Sequence, residues 1–413
     1  MSEWKSISLG QLSKEKKIEI RTGPFGSQLH QSDYIDDGTP VVMPKDIVDW
    51  NICTDTIART SSEMVEKLRI HQLRTGDIVY GRRGDIGRHA FVSEHEEGWL
   101  CGTGCIRLRL LNNAPIIPRF LSFFLRLPNT INSIYNQAVG STMPNLNTGI
   151  IENIVVNYPE VDTQKKIVGA LCTYDDLIEN NNRRIAILED MAQKLYREWF
   201  VHFRFPGHEN VKMVESEMGL IPADWYSYCV SDIARFIKGK KTSDITNEQQ
   251  AGYVKNILLD AIASGEYKFV NPQKMVLVEP NDIVMVMDGA SSGKVFSGEC
   301  GAVGSTLAKI STPDEYRFVL LMYLASHEPS IMDNNTGSAI PHANKDFVNM
   351  MRLTIPSDGL LTRFNNIIGE YMYEKQLLRN KNLNLRRTRD LLLPRLISGD
   401  IDVSELDIPI KEG

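Results

Sequence analysis

Apolar residues fall along this chain in two alternating patterns. From about residue 1 to 160, and again from about 215 to 356, they come in short runs such as Ile78-Val79-Tyr80, Ile106 to Leu111 and Ile283-Val284-Met285-Val286, punctuated by Gly, Asn, Asp and Pro. Short apolar runs between turn formers predict β-strands. Helical stretches are expected at Pro118 to Tyr135 and Glu315 to Ser326. Each region therefore reads as a mixed α/β globule of domain size.

After each globule the spacing changes to helix period. Ile167, Leu171, Tyr174, Ile178, Asn181, Ile185, Leu188, Ala192, Leu195 and Trp199 follow one another by alternating steps of four and three. So do Phe364, Ile368, Tyr371, Lys375, Leu378, Asn382, Leu385, Arg389 and Leu392. That alternation is the seam of a left-handed coiled coil, so two long helices are expected to pair. About 36 residues at 1.5 Å each make a rod of roughly 54 Å. The second helix is expected to end before Pro394, whose ring and missing N–H break the ladder. Asn181 and Asn382 lie on the seams, where a polar pair sets register or marks a partly exposed stretch. Lys375 and Arg389 suggest a wet or partner-covered interface. Phe205-Pro206-Gly207-His208 to Pro222-Ala223-Asp224 reads as a surface linker.

The patterns recur because the chain is duplicated. Gly140-Ser141-Thr142-Met143-Pro144-Asn145-Leu146-Asn147 returns 197 positions later as Gly337-Ser338-Ala339-Ile340-Pro341-His342-Ala343-Asn344. Gly76-Asp77-Ile78-Val79 is echoed by Asn281-Asp282-Ile283-Val284, and Asn157-Tyr158-Pro159 by Thr354-Ile355-Pro356. A period near 200 residues denotes a duplicated domain pair and not a solenoid. The expected organisation is a first globule over residues 1–160, a first helix over 161–205, a linker and second globule over 206–356, and a second helix with a tail over 357–413. With antiparallel helices the two repeats acquire an approximate twofold axis and a fixed separation. DNA has local twofold symmetry of its own, with half-sites about one turn, roughly 34 Å, apart. The globules differ in sequence, so their two half-sites should differ, with an unread spacer between them.

Composition narrows the classes. The chain has 413 residues, 42% of them apolar, enough for real cores, and six scattered cysteines without a Cys-x-x-Cys pair. Cys101 and Cys105 are expected to be ordinary strand residues. No signal-like run opens the chain, and the longest apolar stretch, Phe318 to Ala325, is too short to span a bilayer, so a cytoplasmic protein with no membrane partner is expected. The net charge of −6 is unusual for a protein that grips phosphates unaided. Local clusters and a partner would have to supply that grip.

Catalytic signatures are missing. Asp288 to Val295 has three residues between its glycines where a phosphate loop has four, and Val295 in place of the Ser/Thr that holds magnesium. Gly81 to Gly87 lacks the glycine spacing of a dinucleotide fingerprint. Asn271-Pro272-Gln273-Lys274 falls short of the box of an amino-methyltransferase, and Pro313-Asp314-Glu315 lacks the lysine of a nuclease motif. The chain is not expected to be an enzyme.

The sequence resembles the specificity subunits of type I restriction-modification enzymes over nearly its whole length. The resemblance rests on Gly23-Pro24-Phe25-Gly26-Ser27, Gly76-Asp77-Ile78-Val79, the two glycine-serine segments, Gln164-Lys165-Lys166-Ile167-Val168, Asn181-Asn182-Arg183-Arg184 and Leu391-Leu392-Leu393-Pro394-Arg395-Leu396-Ile397-Ser398-Gly399. It implies two target-recognition domains, each reading half of a split site in double-stranded DNA, held apart by two conserved helices. It also implies assembly with two modification subunits that bind S-adenosylmethionine and methylate adenine. Through these it implies two restriction subunits that cut DNA using ATP and magnesium. This chain itself is expected to bind no cofactor and no metal. The alternative is a non-enzymatic pseudo-twofold scaffold without DNA readout. Two features depart from the pattern: the second helix opens without the glutamine of the first, and no Gly-Pro-Phe-Gly-Ser counterpart stands near Ile237 to Lys241.

Base readout needs donors and acceptors at loop tips, with other groups pinning phosphates. In the first domain the candidates are Arg82, Arg83 and Arg88 around two glycines, then Ser141, Thr142, Asn145 and Asn147, with Ser27, Gln28 and Lys45 behind them. In the second they are Lys294, Ser338, His342 and Asn344, with Lys238, Lys240 and Lys241 as phosphate contacts. Phe25 is expected to pack and not to serve as an intercalating wedge. Helix pairing is assigned to Ile167, Leu171, Tyr174, Ile178, Ile185, Leu188, Leu195, Ile368, Tyr371, Leu378, Leu385 and Leu392.

Overall fold

The computed structural model describes residues 4–138, 144–356 and 358–406, with Ala263 and Asp358 described by their backbone alone. The chain forms two compact units, one of residues 1–177 with 385–413, the other of residues 178–384.

The first unit is built on strands β1 (Ile18–Thr22), β2 (Ile78–Gly81), β3 (His89–Phe91) and β4 (Cys105–Leu110). They form an antiparallel sheet in the order β1-β4-β2-β3. Helix α1 (Pro118–Leu125) starts on a proline, which costs nothing where the N–H has no ladder partner. It buries Phe120, Leu121, Phe123 and Leu125 against the sheet. A short helix α2 (Thr148–Glu152) precedes the long helix α3 (Val161–Tyr196), which runs for 36 residues. Its first turns bring Ile167, Val168 and Leu171 into the same core. A smaller sheet, with Leu100–Cys101 parallel to Thr39–Val42, packs its own apolar cluster beside the first.

The second unit repeats the plan. Strands β5 (Arg235–Lys238), β6 (Ile283–Val286), β7 (Val295–Phe296) and β8 (Leu307–Ser311) pair antiparallel in the order β5-β8-β6-β7. Helix α4 (Arg317–Ser326) covers them, with Phe318 to Leu324 all buried, and a short helix α5 (Lys345–Met350) follows. The side sheet again holds one parallel pair, Val254–Ile257 with Gly301–Val303. The closing strand pairs match too: Lys5 faces Tyr158 in the first unit and Tyr226 faces Ile355 in the second. The duplication seen in the sequence is thus a duplication of fold.

Helix α6 (Asp358–Ile397) is 40 residues long. In the second unit it runs antiparallel to α3. Asn181 Nδ2 donates to Asn382 Oδ1 at 2.8 Å, Asn382 Nδ2 donates to Asn182 Oδ1 at 2.8 Å, and Lys375 pairs with Glu189 at 2.7 Å. Both seam asparagines are buried, and this relay from Asn181 through Asn382 to Asn182 pairs their amide groups in a single register. In the first unit the end of α6 meets the start of α3, where Arg389 lies 2.7 Å from Asp175. The twelve helix-pairing residues are all buried or half-buried.

Three expectations need correction. Helix α6 does not stop before Pro394 but continues to Ile397. The proline forfeits one ladder bond, while burial of Leu393, Leu396 and Ile397 in the first unit's core holds the last turn. Lys375 and Arg389 do not leave a wet seam, because carboxylates of α3 pair with both inside each unit. The surface linker expected from Phe205 to Asp224 is mostly exposed but not irregular. It forms a hairpin, Met213–Ser216 with Gly219–Pro222, and stacks Phe205 on Trp225 with ring centroids 5.3 Å apart.

Candidate nucleic-acid interface

In the first unit the loops gather at one end of the β1-β4-β2 sheet. Where β1 ends, the Gly23 N–H donates to the Cys105 carbonyl at 2.9 Å, and a Cβ at Gly23 would meet the Gly102 oxygen at 2.0 Å. Only glycine passes there. Where β2 ends, the Arg82 N–H donates to the Gly104 carbonyl at 2.8 Å. The Leu146 N–H then donates to the Arg82 carbonyl at 2.9 Å, Arg82 Nε donates back to the Leu146 carbonyl at 3.1 Å, and Arg83 forms a bridge with Asn145. Two loops 64 residues apart in sequence, the arginine loop and the tail of the glycine-serine segment, are thereby fastened together.

Among the candidates, Arg83 is exposed, Arg82 is half-buried, and Arg88 pairs with Asp85, which also accepts the Tyr135 hydroxyl at 2.6 Å. Asn145 is exposed beside Arg83, whereas the Asn147 side-chain oxygen caps α2 by accepting the Ile150 N–H. Ser27 and Gln28 are exposed on the first loop, where Gln28 Oε1 accepts the Phe25 N–H at 3.0 Å and closes the turn. Lys45 is exposed and donates to the Thr56 carbonyl at 3.0 Å. Ser141 and Thr142 lie outside the described residues. Phe25 is 64% exposed and so does not pack as expected; the turn closed by Gln28 carries its ring out of the core.

The second unit reproduces the backbone bonds one by one. The Gly239 N–H donates to the Leu307 carbonyl at 2.9 Å, and a Cβ there would meet the Gly304 oxygen at 2.1 Å. Gly239 therefore occupies the place of Gly23, and Lys240-Lys241 stand where Pro24-Phe25 stand in the first copy. That locates the first loop of the second domain, for which the sequence offers no visible counterpart. The Met287 N–H donates to the Thr306 carbonyl at 2.8 Å, and the Ala343 N–H to the Met287 carbonyl at 2.8 Å, as Arg82 and Leu146 do in the first unit. Asp288 then bridges His342 as Arg83 bridges Asn145.

Lys240, Lys241, Lys294, Ser338 and His342 are exposed around this edge. Lys238 is exposed too, but its ammonium lies 3.3 Å from Asp288, which diverts part of its charge from a phosphate. The Asn344 side-chain oxygen caps α5, as Asn147 caps α2. Sequence reasoning missed Asp288, whose signal is positional: it follows the strand echoing Gly76-Asp77-Ile78-Val79 at the place of Arg83.

Elsewhere the titratable groups are structural. Burial pushes the Cys101 thiol up to about 12 and also raises that of Cys105, both on buried strands. Burial lowers the imidazoles of His71 and His89. Arg107, 2% exposed inside the first sheet, donates to Glu19 and to the carbonyls of Ile70 and Gln72. Among the described residues no group of His, Cys, Asp and Glu is arranged to hold a metal, and no helix is long and apolar enough to cross a membrane.

Two units of one backbone plan, each with its own exposed loop side chains and each closed by a stretch of the α3–α6 helix pair, define the class: a duplicated mixed α/β protein. Residues 1–190 match the family model described as the type I restriction modification DNA specificity domain. The type I restriction enzyme MjaIX specificity subunit of Methanocaldococcus jannaschii is 23% identical over 98% of both chains. The HindI specificity subunit of Haemophilus influenzae is 21% identical over 97% of this chain and all of that one. The crystal structure of the type I restriction-modification S subunit from M. genitalium has the same fold, with TM-score 0.56, 14% identity and 96% of both chains covered. Residues 1–190 thus match the type I restriction modification DNA specificity domain, and nearly the whole chain is similar to curated type I specificity subunits.

Proposed function

We infer that this chain is the DNA-reading subunit of a type I restriction-modification complex, each recognition domain reading one half of a bipartite, asymmetric site. The observation that carries this is the bond-for-bond repetition of the loop platform. Gly23 and Gly239, Arg82 and Met287, Leu146 and Ala343 make equivalent backbone bonds, yet the exposed side chains beside them differ. One platform with two sets of side chains reads two different sequences. Arg83, Asn145, Ser27, Gln28 and Lys45 face the first half-site. His342, Ser338 and Lys294 face the second, and Lys240 and Lys241 supply phosphate contacts.

The paired helices set the unread spacer and dock the partners. Leu177, Ile187 and Met191 on α3, and Tyr373 and Leu391 on α6, are exposed apolar side chains on otherwise polar surfaces, suited to covering by partner helices. Two modification subunits would occupy these faces and carry S-adenosylmethionine. Two restriction subunits would join through them and supply ATP- and magnesium-dependent cleavage, all in the cytoplasm. The chain contributes recognition and no catalysis, and the partners provide the positive charge that its own −6 lacks.

The test is to map adenine methylation across genomic DNA in cells expressing the modification subunit with and without this chain. A split asymmetric motif that vanishes without the chain is the expected result. Absence of any chain-dependent motif, with both subunits expressed and assembled, would overturn the assignment.

A further inference from the structure

In each domain one backbone bridge joins the loop after the second strand of the main sheet to the segment before the capping asparagine, and the side chains at the bridge differ between copies. The first domain has Arg83 opposite Asn145, and the second has Asp288 opposite His342. The histidine is held on three sides. Its Nδ1 lies 2.8 Å from Asp288 Oδ1. Its Cδ2 sits where a Cβ on Gly337 would come within 3.0 Å, and Gly337 has a φ of +88°, which a side chain would strain. Its backbone exchanges hydrogen bonds with Thr336, at 2.7 and 2.9 Å. Asp288 also faces the Lys238 ammonium at 3.3 Å, so the three side chains form one chain of charge-assisted contacts at the loop edge.

That geometry decides which ring nitrogen carries the proton. A carboxylate only accepts, so in the neutral ring Nδ1 carries the hydrogen and Nε2 is left with a bare lone pair. The side chain is 50% exposed, so a base edge can reach it. In the major groove only adenine N6 and cytosine N4 offer a hydrogen to such an acceptor, whereas guanine O6 and thymine O4 would set lone pair against lone pair.

We propose that His342, held by Asp288, is a specificity-determining residue of the second domain, its Nε2 accepting a hydrogen bond from the exocyclic amino group of an adenine or cytosine. Arg83 at the equivalent bridge is a pure donor, suited to guanine. The two copies therefore demand opposite hydrogen-bond polarity from the base that each meets. This rests on the DNA-reading role inferred above.

The test selects bound duplexes from a random pool with the assembled complex of this chain and its modification subunits. It compares wild type with Asp288→Asn and His342→Ala. An asparagine can turn its amide to donate to Nδ1, releasing the Nε2–H tautomer. Each variant should lose about tenfold of the discrimination against guanine and thymine at one base pair of the second half-site. The first half-site serves as internal control and should not change. An unchanged second half-site in both variants, or a loss spread evenly over its positions, would overturn the proposal. If His342→Ala fails to assemble, Asp288→Asn alone decides. A wild-type complex that selects no motif would overturn the DNA-reading role itself, an outcome distinct from either result with the variants.

Discussion

Replacing Asp175 with asparagine removes the one carboxylate at the centre of a three-arginine cluster in the first unit. Its Oδ2 lies 3.2 Å from both Arg119 Nη2 and Arg126 Nη1, and its Oδ1 lies 2.7 Å from Arg389 Nη1. Arg119 stacks over Phe91 at 4.5 Å and Arg126 over Phe123 at 4.7 Å, so neither guanidinium can withdraw to water without losing its ring. Burial already pushes the Arg126 guanidinium down to about 10. Without Asp175 the guanidiniums of Arg119 and Arg126 face a neutral amide while Arg389 keeps only Asp390, and breaking a buried pair in this way costs about 3–5 kcal/mol. That is a large part of the 5–15 kcal/mol typical of a domain. Urea unfolding measures the loss, and hydrogen exchange should place it at the α3–α6 junction of the first unit. A loss below about 1 kcal/mol, the worth of an exposed pair, would refute the reasoning. Acid provides a second readout. Burial opposes charge on Asp175, but Arg126, Arg389 and Arg119 outweigh it and hold the carboxyl below its usual range. A carboxyl lowered by folding adds stability above its unfolded value of about 3.9, and that stability is lost as pH falls through the folded value. The variant should therefore show a shallower loss of stability below about pH 4.

Other perturbations test other parts. Asn382→Ala strands the buried amide of Asn181 and should cost about 1–3 kcal/mol, while changing both Asn181 and Asn382 to leucine should recover most of it; urea midpoints of the two variants and the wild type decide. Inserting about four residues, roughly 6 Å, into α3 should lengthen the unread spacer by about two base pairs at 3.4 Å each with both half-sites unchanged, and methylation mapping would reveal a changed half-site if the idea is wrong. Lys240→Ala with Lys241→Ala should weaken DNA binding evenly across sequences and lower the salt slope by about 1 per lysine; a slope that does not move would remove them from the phosphate contacts.

Periodicity served well where one force dominates. The seams of α3 and α6 were readable because a paired helix repeats its apolar side every three or four residues, and the glycine-serine segments because a tight turn constrains residue type. Pro394 misled because propensity is local while Leu396 and Ile397 are held by a core made elsewhere in the chain. Phe25 misled because apolarity implies burial only on average, and its turn exposes the ring. The Asp175 cluster draws one residue from α3, two from the α1 region and one from α6, a convergence no spacing rule contains. Gly239 was hidden for a related reason. Its loop is fixed by backbone bonds to Leu307 and Val303, and backbone bonds leave little trace in residue identity. The pairing of Asp288 with His342 was half-visible, since His342 stood at the 197-residue echo of Asn145 while Asp288 followed a different offset.

The loops of both copies share main-chain hydrogen bonds, Leu146 to Arg82 and Ala343 to Met287, that do not depend on residue type. The exposed side chains of Arg83 and Asn145 are thus freer to vary than the backbone that carries them. On the proposed reading, a substitution at Arg83 or Asn145 would rewrite a letter of the target at little cost to folding, and a change in one copy would leave the other half of the word intact. A lineage carrying this gene can explore new target words in single mutational steps, each intermediate still folded.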